Sequence, residues 1–178
     1  NVVDTTFGSM PSSVDAFAKD AIKQFGLSET AAKRYSSTMG AMLKSMGLNQ
    51  QQTLSMSTTL AGLAGDMASF YNISTDEAFS KIRSGISGET EPLKQLGINL
   101  SVANLEAYAL SQGITKSYQS MTQAEQAILR YNYLLKSTTD AQGDFAKTSE
   151  SWANQVRILK ENFNSLKATI GQGLIMAL

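Results

Sequence analysis

Between Ser12 and Ser137 almost every stretch repeats one grammar. A capping residue is followed by apolar residues three and four positions apart, and then by a glycine. That period buries one stripe of an α-helix, whereas a half-buried strand needs strict alternation, which no segment shows. The chain is therefore expected to be all-α, a multi-helix domain with short connections.

Residues 1–11 carry no period and are expected to form an irregular lead-in. Ser12 or Ser13 then offers an N-cap for a helix bearing Val14, Phe17, Ala18, Ala21 and Phe25, ended by Gly26. Ser28 caps the next, with Ala31, Tyr35, Met39, Met42 or Leu43, and Met46 on its stripe and Gly47 as its stop. Asn49 with Gln52 spells a capping box for a third helix reaching about Tyr71, whose stripe is Leu54, Leu60, Leu63, Met67 and Phe70. On that helix Ser57, Ala61, Gly65 and Ser69 also recur every four residues. This ridge of small side chains lets another backbone come close. In a membrane it would suggest a helix dimer, but Asp66 and the polar flanks point to packing in a water-soluble domain.

Ser74 with Glu77 opens a further helix over Ala78, Phe79, Ile82 and Ile86. Ser101 caps Val102 to Gln112, stopped by Gly113, and Thr122 with Glu125 caps a helix through about Ser137. Between the first two lies a joint at 84–100, with Gly85, Gly88, Pro92 and Gly97 inside thirteen residues. Glu91 is expected as N-cap there, Pro92 to Leu96 as a short helix, Gly97 as a left-handed stop and Ile98 as the residue folding back. The helical body is thus 12–139, with this joint as a fixed corner between two halves.

Residues 140–178 differ in kind. Phe145, Ser149, Trp152, Val156, Leu159, Phe163, Leu166 and Ile170 step by four and three, a heptad stripe of a long amphipathic helix. If continuous to Ala177 it spans ~50 Å. Such a stripe exposes a large apolar patch, so it pairs with a second copy or packs back on the body. The opening at Asn1 and the close on GLIMAL without a helix stop suggest a piece of a longer polypeptide.

The chemistry-bearing residues are sparse. Lys plus Arg and Asp plus Glu are fifteen each, so nothing favours phosphate backbones or anionic membranes, and Lys33-Arg34 makes no basic patch. No apolar run reaches the ~18 residues of a membrane helix. Cysteine and histidine are absent, which removes thiolate chemistry, the usual general base and the commonest metal ligand. Glu89 and Glu91 flank Thr90 but read as a solvated group and a cap rather than an acid–base pair. Asp140 to Asp144 lacks the alternating oxygen ligands and terminal Glu of a calcium loop and reads as a turn. Met39, Met42, Met46, Met56 and Met67 could make an adaptable binding face, though core filling is the simpler role. No phosphate-binding glycine loop, nucleophile elbow or nucleic-acid motif is present. No catalytic, cofactor-binding or metal residue is assigned, and the expectation is a non-enzyme without cofactor.

The run from Leu60 to Ser101, LAGLAGDMASFYNISTDEAFSKIRSGISGETEPLKQLGINLS, resembles tape measure proteins of long-tailed bacteriophages and prophages. So do NLEAYAL (Asn104 to Leu110), the QGIT turn (Gln112 to Thr115) and the run from Met121 to Asn164, while VDAFAK and TMGAMLKSMG upstream fit as well. The resemblance covers about Phe7 to Lys167 in several ungapped phrases. It implies a virion structural protein that lies in the tail lumen, sets tail length, and leaves ahead of DNA at infection. Implied partners are tail tube, tail tip and tail assembly chaperone proteins, with host cytoplasm as the place of assembly. The family carries no catalytic residues in this region. Some members bear peptidoglycan-degrading domains elsewhere, which makes a lytic role one alternative; membrane contact is left open for the parent alone. A secreted helical effector is another alternative, weakened because Trp152-Ala153-Asn154 departs from the Trp-x-Gly of export substrates.

Overall fold

A computed structural model describes residues 2–7, 11–148 and 157–158. In chain order its helices are α1 (Val2–Phe7), α2 (Pro11–Phe25), α3 (Glu29–Ser45), α4 (Gln50–Tyr71), α5 (Thr75–Ser87), α6 (Glu91–Lys94), α7 (Val102–Ser111), α8 (Gln123–Ser137) and α9 (Asp144–Lys147). A 3-10 turn, Tyr118–Ser120, precedes α8, and the described residues contain no strand. The all-α expectation holds.

Helix α4 is the axis of the body, with α1, α2, α3, α5 and α9 packed against it. Its start is fixed by the expected capping box, Asn49 Oδ1 accepting from Gln52 N–H (2.8 Å) and Gln52 Oε1 from Asn49 N–H (3.2 Å). It ends where Asn72 turns left-handed (φ 55°) and Ile73 N–H reaches back to Ala68 O at 3.1 Å. Every residue from Leu60 to Ala68 is buried. The two patterns on this helix explain that: the apolar stripe faces the core, and the small ridge lets α2 lie almost against the backbone. A Cβ added at Gly65 would overlap the carbonyl oxygen of Phe25 and sit 2.8 Å from Phe25 Cβ. Phe70, expected inward, is 44% exposed with its ring edge-on to Tyr71, because the chain turns away at Asn72.

Ser28, Ser74 and Ser101 each accept the expected N-terminal bond, and Thr122 with Glu125 closes a full capping box. At Ser74 only half of the box forms. The stops at Gly26, Gly47 and Gly113 are left-handed as read.

Three local expectations are corrected. Residues 2–7 are helical rather than irregular. Phe7 is fully buried, pressed where α3 carries Gly40, and its carbonyl accepts from Gln50 Nε2, so tertiary contact makes a helix too short to show a period. Helix α2 starts at Pro11, which suits a first helical position, so Ser12 and Ser13 lie within its first turn instead of capping it. In the joint, Glu91 begins α6 and Thr90 holds the N-cap position without a side-chain bond.

The rest of that joint follows the reading in its local geometry. Gly97 is left-handed (φ +81°), Ile98 N–H bonds Leu93 O at 3.0 Å, and Leu93, Ile98 and Leu100 are buried. Leu93 lies so close to Gly85 on α5 that a Cβ there would overlap its side chain, and Lys81 Nζ donates to Gln95 Oε1 at 2.5 Å. The segment therefore lies flat on α5. It parts no halves: one apolar cluster joins Ala18, Tyr35, Leu60 and Ile82 before it to Ala127 and Leu134 after it. Helix α7 and the 3-10 turn form a small second cluster on α8, built on Leu105, Ala109, Tyr118 and Leu129.

Of the expected long C-terminal helix, α9, Thr148 and the helical pair Arg157-Ile158 are described; Ser149 to Val156 and Leu159 onward lie outside the described residues. Phe145, first on the heptad stripe, is buried, its ring in a notch where a Cβ on Gly26 would meet it at 2.5 Å.

Candidate functional site

Of the carboxylates weighed for chemistry, all but Asp144 face water, and Asp144 is half-buried and bonded to Ser69. Glu89 and Glu91 are exposed, and Asp140 is exposed in the turn that leads to α9. Among the described residues no group of three or more acids could hold a metal ion. Of the methionines, Met39, Met56 and Met67 are buried in the main core, while Met42 and Met46 pack half-buried against it. They fill the core and form no exposed face.

Among the described residues the one deeply placed acid is Asp66, on the inner part of α4. Its Oδ2 accepts from Gly143 N–H (2.9 Å) and its Oδ1 from Phe145 N–H (3.3 Å). Gly143 and Phe145 open α9, so Asp66 caps that helix from 77 and 79 residues away. One turn on, Ser69 Oγ donates to Asp144 Oδ2 at 2.6 Å, and Thr148 Oγ1 lies 3.1 Å from Ser69 Oγ. Burial pushes the Asp66 carboxyl above the usual Asp range, aided by the Asp144 charge and opposed by the two backbone donors and Lys147. All of its bonding is spent on holding α9. Asp66 is a structural clasp.

A second pairing joins α3 to α5. Tyr35, buried and stacked on Phe79 (ring centroids 4.3 Å), donates its hydroxyl to Asp76 Oδ1, which also takes Arg34 Nη2 at 2.9 Å. The Tyr35 bond, then Arg34, holds the Asp76 carboxyl below the usual range, and burial with that same bond pushes the Tyr35 phenol up. Arg130 joins three elements in the same way. Its Nη1 donates to Ile86 O (2.9 Å) at the end of α5, and its Nε (2.9 Å) and Nη2 (2.5 Å) donate to the Tyr118 hydroxyl. Both are fastenings between helices.

Two clefts lie elsewhere, along α4. One cleft of about 390 Å³ is lined by Phe17 and Phe25 of α2, Thr59 and Leu63 of α4, and Leu135 of α8. Asp66 lines its inner end beside Gln142. A second, of about 330 Å³, lies between the α4 residues Gln52, Ser55 and Met56 and the α8 residues Ile128, Tyr131 and Asn132. The α4 and α8 numbers rise together from one cleft to the other, so the two are successive parts of one groove between these helices. Its lining has aromatic and aliphatic groups with uncharged amides and hydroxyls, and Asp66, the one acid in it, is already engaged. Such a lining suits an apolar side-chain stripe with a neutral polar border.

Sequence reading missed both Asp66 and the groove. For Asp66 a signal existed: an acid inside a ridge of small residues on a helix that is otherwise core. The groove left none, since its α4 wall reads as an ordinary polar helix face.

No helix among the described residues is long and apolar enough to cross a membrane. Compared with family models, with curated proteins and with solved structures, the chain matches none of them.

Proposed function

We propose that this chain is a non-catalytic structural domain of a bacteriophage or prophage tail tape measure protein, acting in tail assembly and tail-length determination. The observation that carries the reading is the ordered wording from Leu60 to Ser101 and from Met121 to Asn164, with its resemblance to that family. Physical support comes from what the central phrase does. In GETEPLKQLGINL the buried residues Leu93, Ile98 and Leu100 and the left-handed Gly97 have packing or backbone reasons, and its two acids face water. A phrase shaped by packing suits a building block better than an active site.

In this reading the domain works in the tail lumen of the virion, after assembly in the host cytoplasm. Tube, tip and chaperone proteins are its partners, and the parent leaves the tail ahead of DNA.

The test is made in the phage or lysogen that encodes the chain. Mass spectrometry of purified tails should find its peptides at a fixed ratio to tube protein, and an in-frame deletion of residues 12–148 should abolish normal tails. Tails that lack these peptides, or tails of unchanged length and number after the deletion, would overturn the proposal.

A further inference from the structure

We propose that the α4–α8 groove is the docking site of this chain's own heptad stripe, Leu159, Phe163, Leu166 and Ile170. The inference rests on the groove and on the position of Arg157, and it stands independently of the tail assignment.

The groove needs a cover. Phe17, Phe25, Ile128, Tyr131 and Leu135 pack against the main core on one side only and remain half-buried along the two clefts. The stripe needs a bed, since four large apolar residues at heptad spacing expose one continuous face.

Reach and length agree. Arg157 Nη2 donates to Ile73 O (3.0 Å) and Asn72 Oδ1 (3.3 Å), which fastens the chain at the C-terminal end of α4 two residues before the stripe begins. Asp66, at the near end of the groove, is six residues back along α4, about 9 Å by helical rise. From Asn49 to Asp66 the groove offers about 26 Å, and Leu159 to Ile170 as a helix needs about 17 Å. The stripe would then run antiparallel to α4, with Leu159 near Asp66 and Ile170 near Ser55.

Charge agrees too. Between Leu159 and Ile170 the only charged residues are Lys160, Glu161 and Lys167, none on the stripe, and the groove walls carry amides and hydroxyls. A short tether gives the chain's own stripe an effective concentration on the order of millimolar, so it outcompetes a second copy in dilute solution.

The absence of cysteine allows a clean test in the full chain. Ser55→Cys combined with Thr169→Cys should close an intramolecular disulfide under mild oxidation, at least about tenfold faster than the control pair Lys19→Cys with Thr169→Cys, because docking raises the local concentration of the two thiols. Adding Leu166→Asp should remove that advantage and lower the unfolding temperature, while the body still unfolds in one cooperative transition. Equal rates for the two pairs, a disulfide formed only between two chains, or a rate untouched by Leu166→Asp would each overturn the proposal. The second of these would make a neighbouring copy the occupant.

Discussion

Helices α4 and α7 contrast in a way that composition does not foretell. In α7 nearly every residue from Val102 to Leu110 is apolar, yet only Leu105 and Ala109 are buried, and Leu110 is 64% exposed. In α4 the stretch from Leu60 to Ala68 includes two glycines and an aspartate, yet all of it is buried. Hydrophobicity supplies a drive to be covered, but covering needs neighbours that can come close. Small side chains on α4 admit α2 and α9. Helix α7 packs chiefly on α8 and the 3-10 turn, and its outer face has no comparably packed partner among the described residues. Burial follows the fit.

The largest test of this contrast is a matched pair of truncations. Leu60→Ala should cost about 2–5 kcal/mol, as deletions from close-packed cores do, while Leu110→Ala should stay within about 0.5 kcal/mol as an exposed substitution. Chemical unfolding of both variants checks it, and similar losses would mean that α7 is covered in solution.

Gly65→Ala comes next. Its new methyl would meet the Phe25 backbone rather than a flexible side chain, so a loss of about 1–3 kcal/mol is expected by over-packing. Ala107→Leu on the exposed side of α7 should leave the unfolding midpoint almost unchanged.

Asp66 sharpens the comparison further. Asp66→Ala strands the buried N–H of Phe145 and the half-buried N–H of Gly143 and should cost about 1–3 kcal/mol. Asp66→Asn keeps one acceptor and removes the buried charge, and its effect should depend on pH. The folded carboxyl holds its proton more tightly than the unfolded one, so the Asp66 contribution is greatest below the ordinary Asp value of 3.8 and declines as pH rises through the raised folded value. Relative to Asn, the native protein should therefore lose stability across that rise. Asp76 titrates with the opposite sign: its carboxyl is held low, so its contribution is present above 3.8 and lost as pH falls through the folded value. Stability measured against pH for native protein, Asp66→Asn and Asp76→Asn separates the two.

An effect of opposite sign is expected at Ser57, whose buried hydroxyl makes no hydrogen bond. Ser57→Ala should raise stability by about 1 kcal/mol, because the position needs a small residue rather than a polar one. A clear loss would reveal a buried water on that hydroxyl.

How much was legible depended on the range of the physics involved. Caps are local, so Asn49 with Gln52 and Thr122 with Glu125 were readable from four residues each, and the glycine stops from one. Helix α1 was not, because six residues cannot display a helical period and Phe7 is ordered by contacts with α3 and α4. The small ridge on α4 announced a close approach without saying that α2 would make it. The groove was invisible because Gln52, Thr59 and Asn132 look like ordinary surface, and only their meeting across two helices makes a concavity.

The clasp at Asp66 also sets a schedule. Its donors follow it by 77 and 79 residues, so on a chain synthesised at about 5–20 residues per second they arrive roughly 4–16 s after it does. During that interval helices α1 to α6 can assemble, but the carboxylate must stay hydrated and the α4 surface under α9 must stay open to water. Closure of the clasp therefore waits on translation. It can take place only after residue 145 has been made, so the middle of the core keeps an open place for a segment nearly eighty residues downstream.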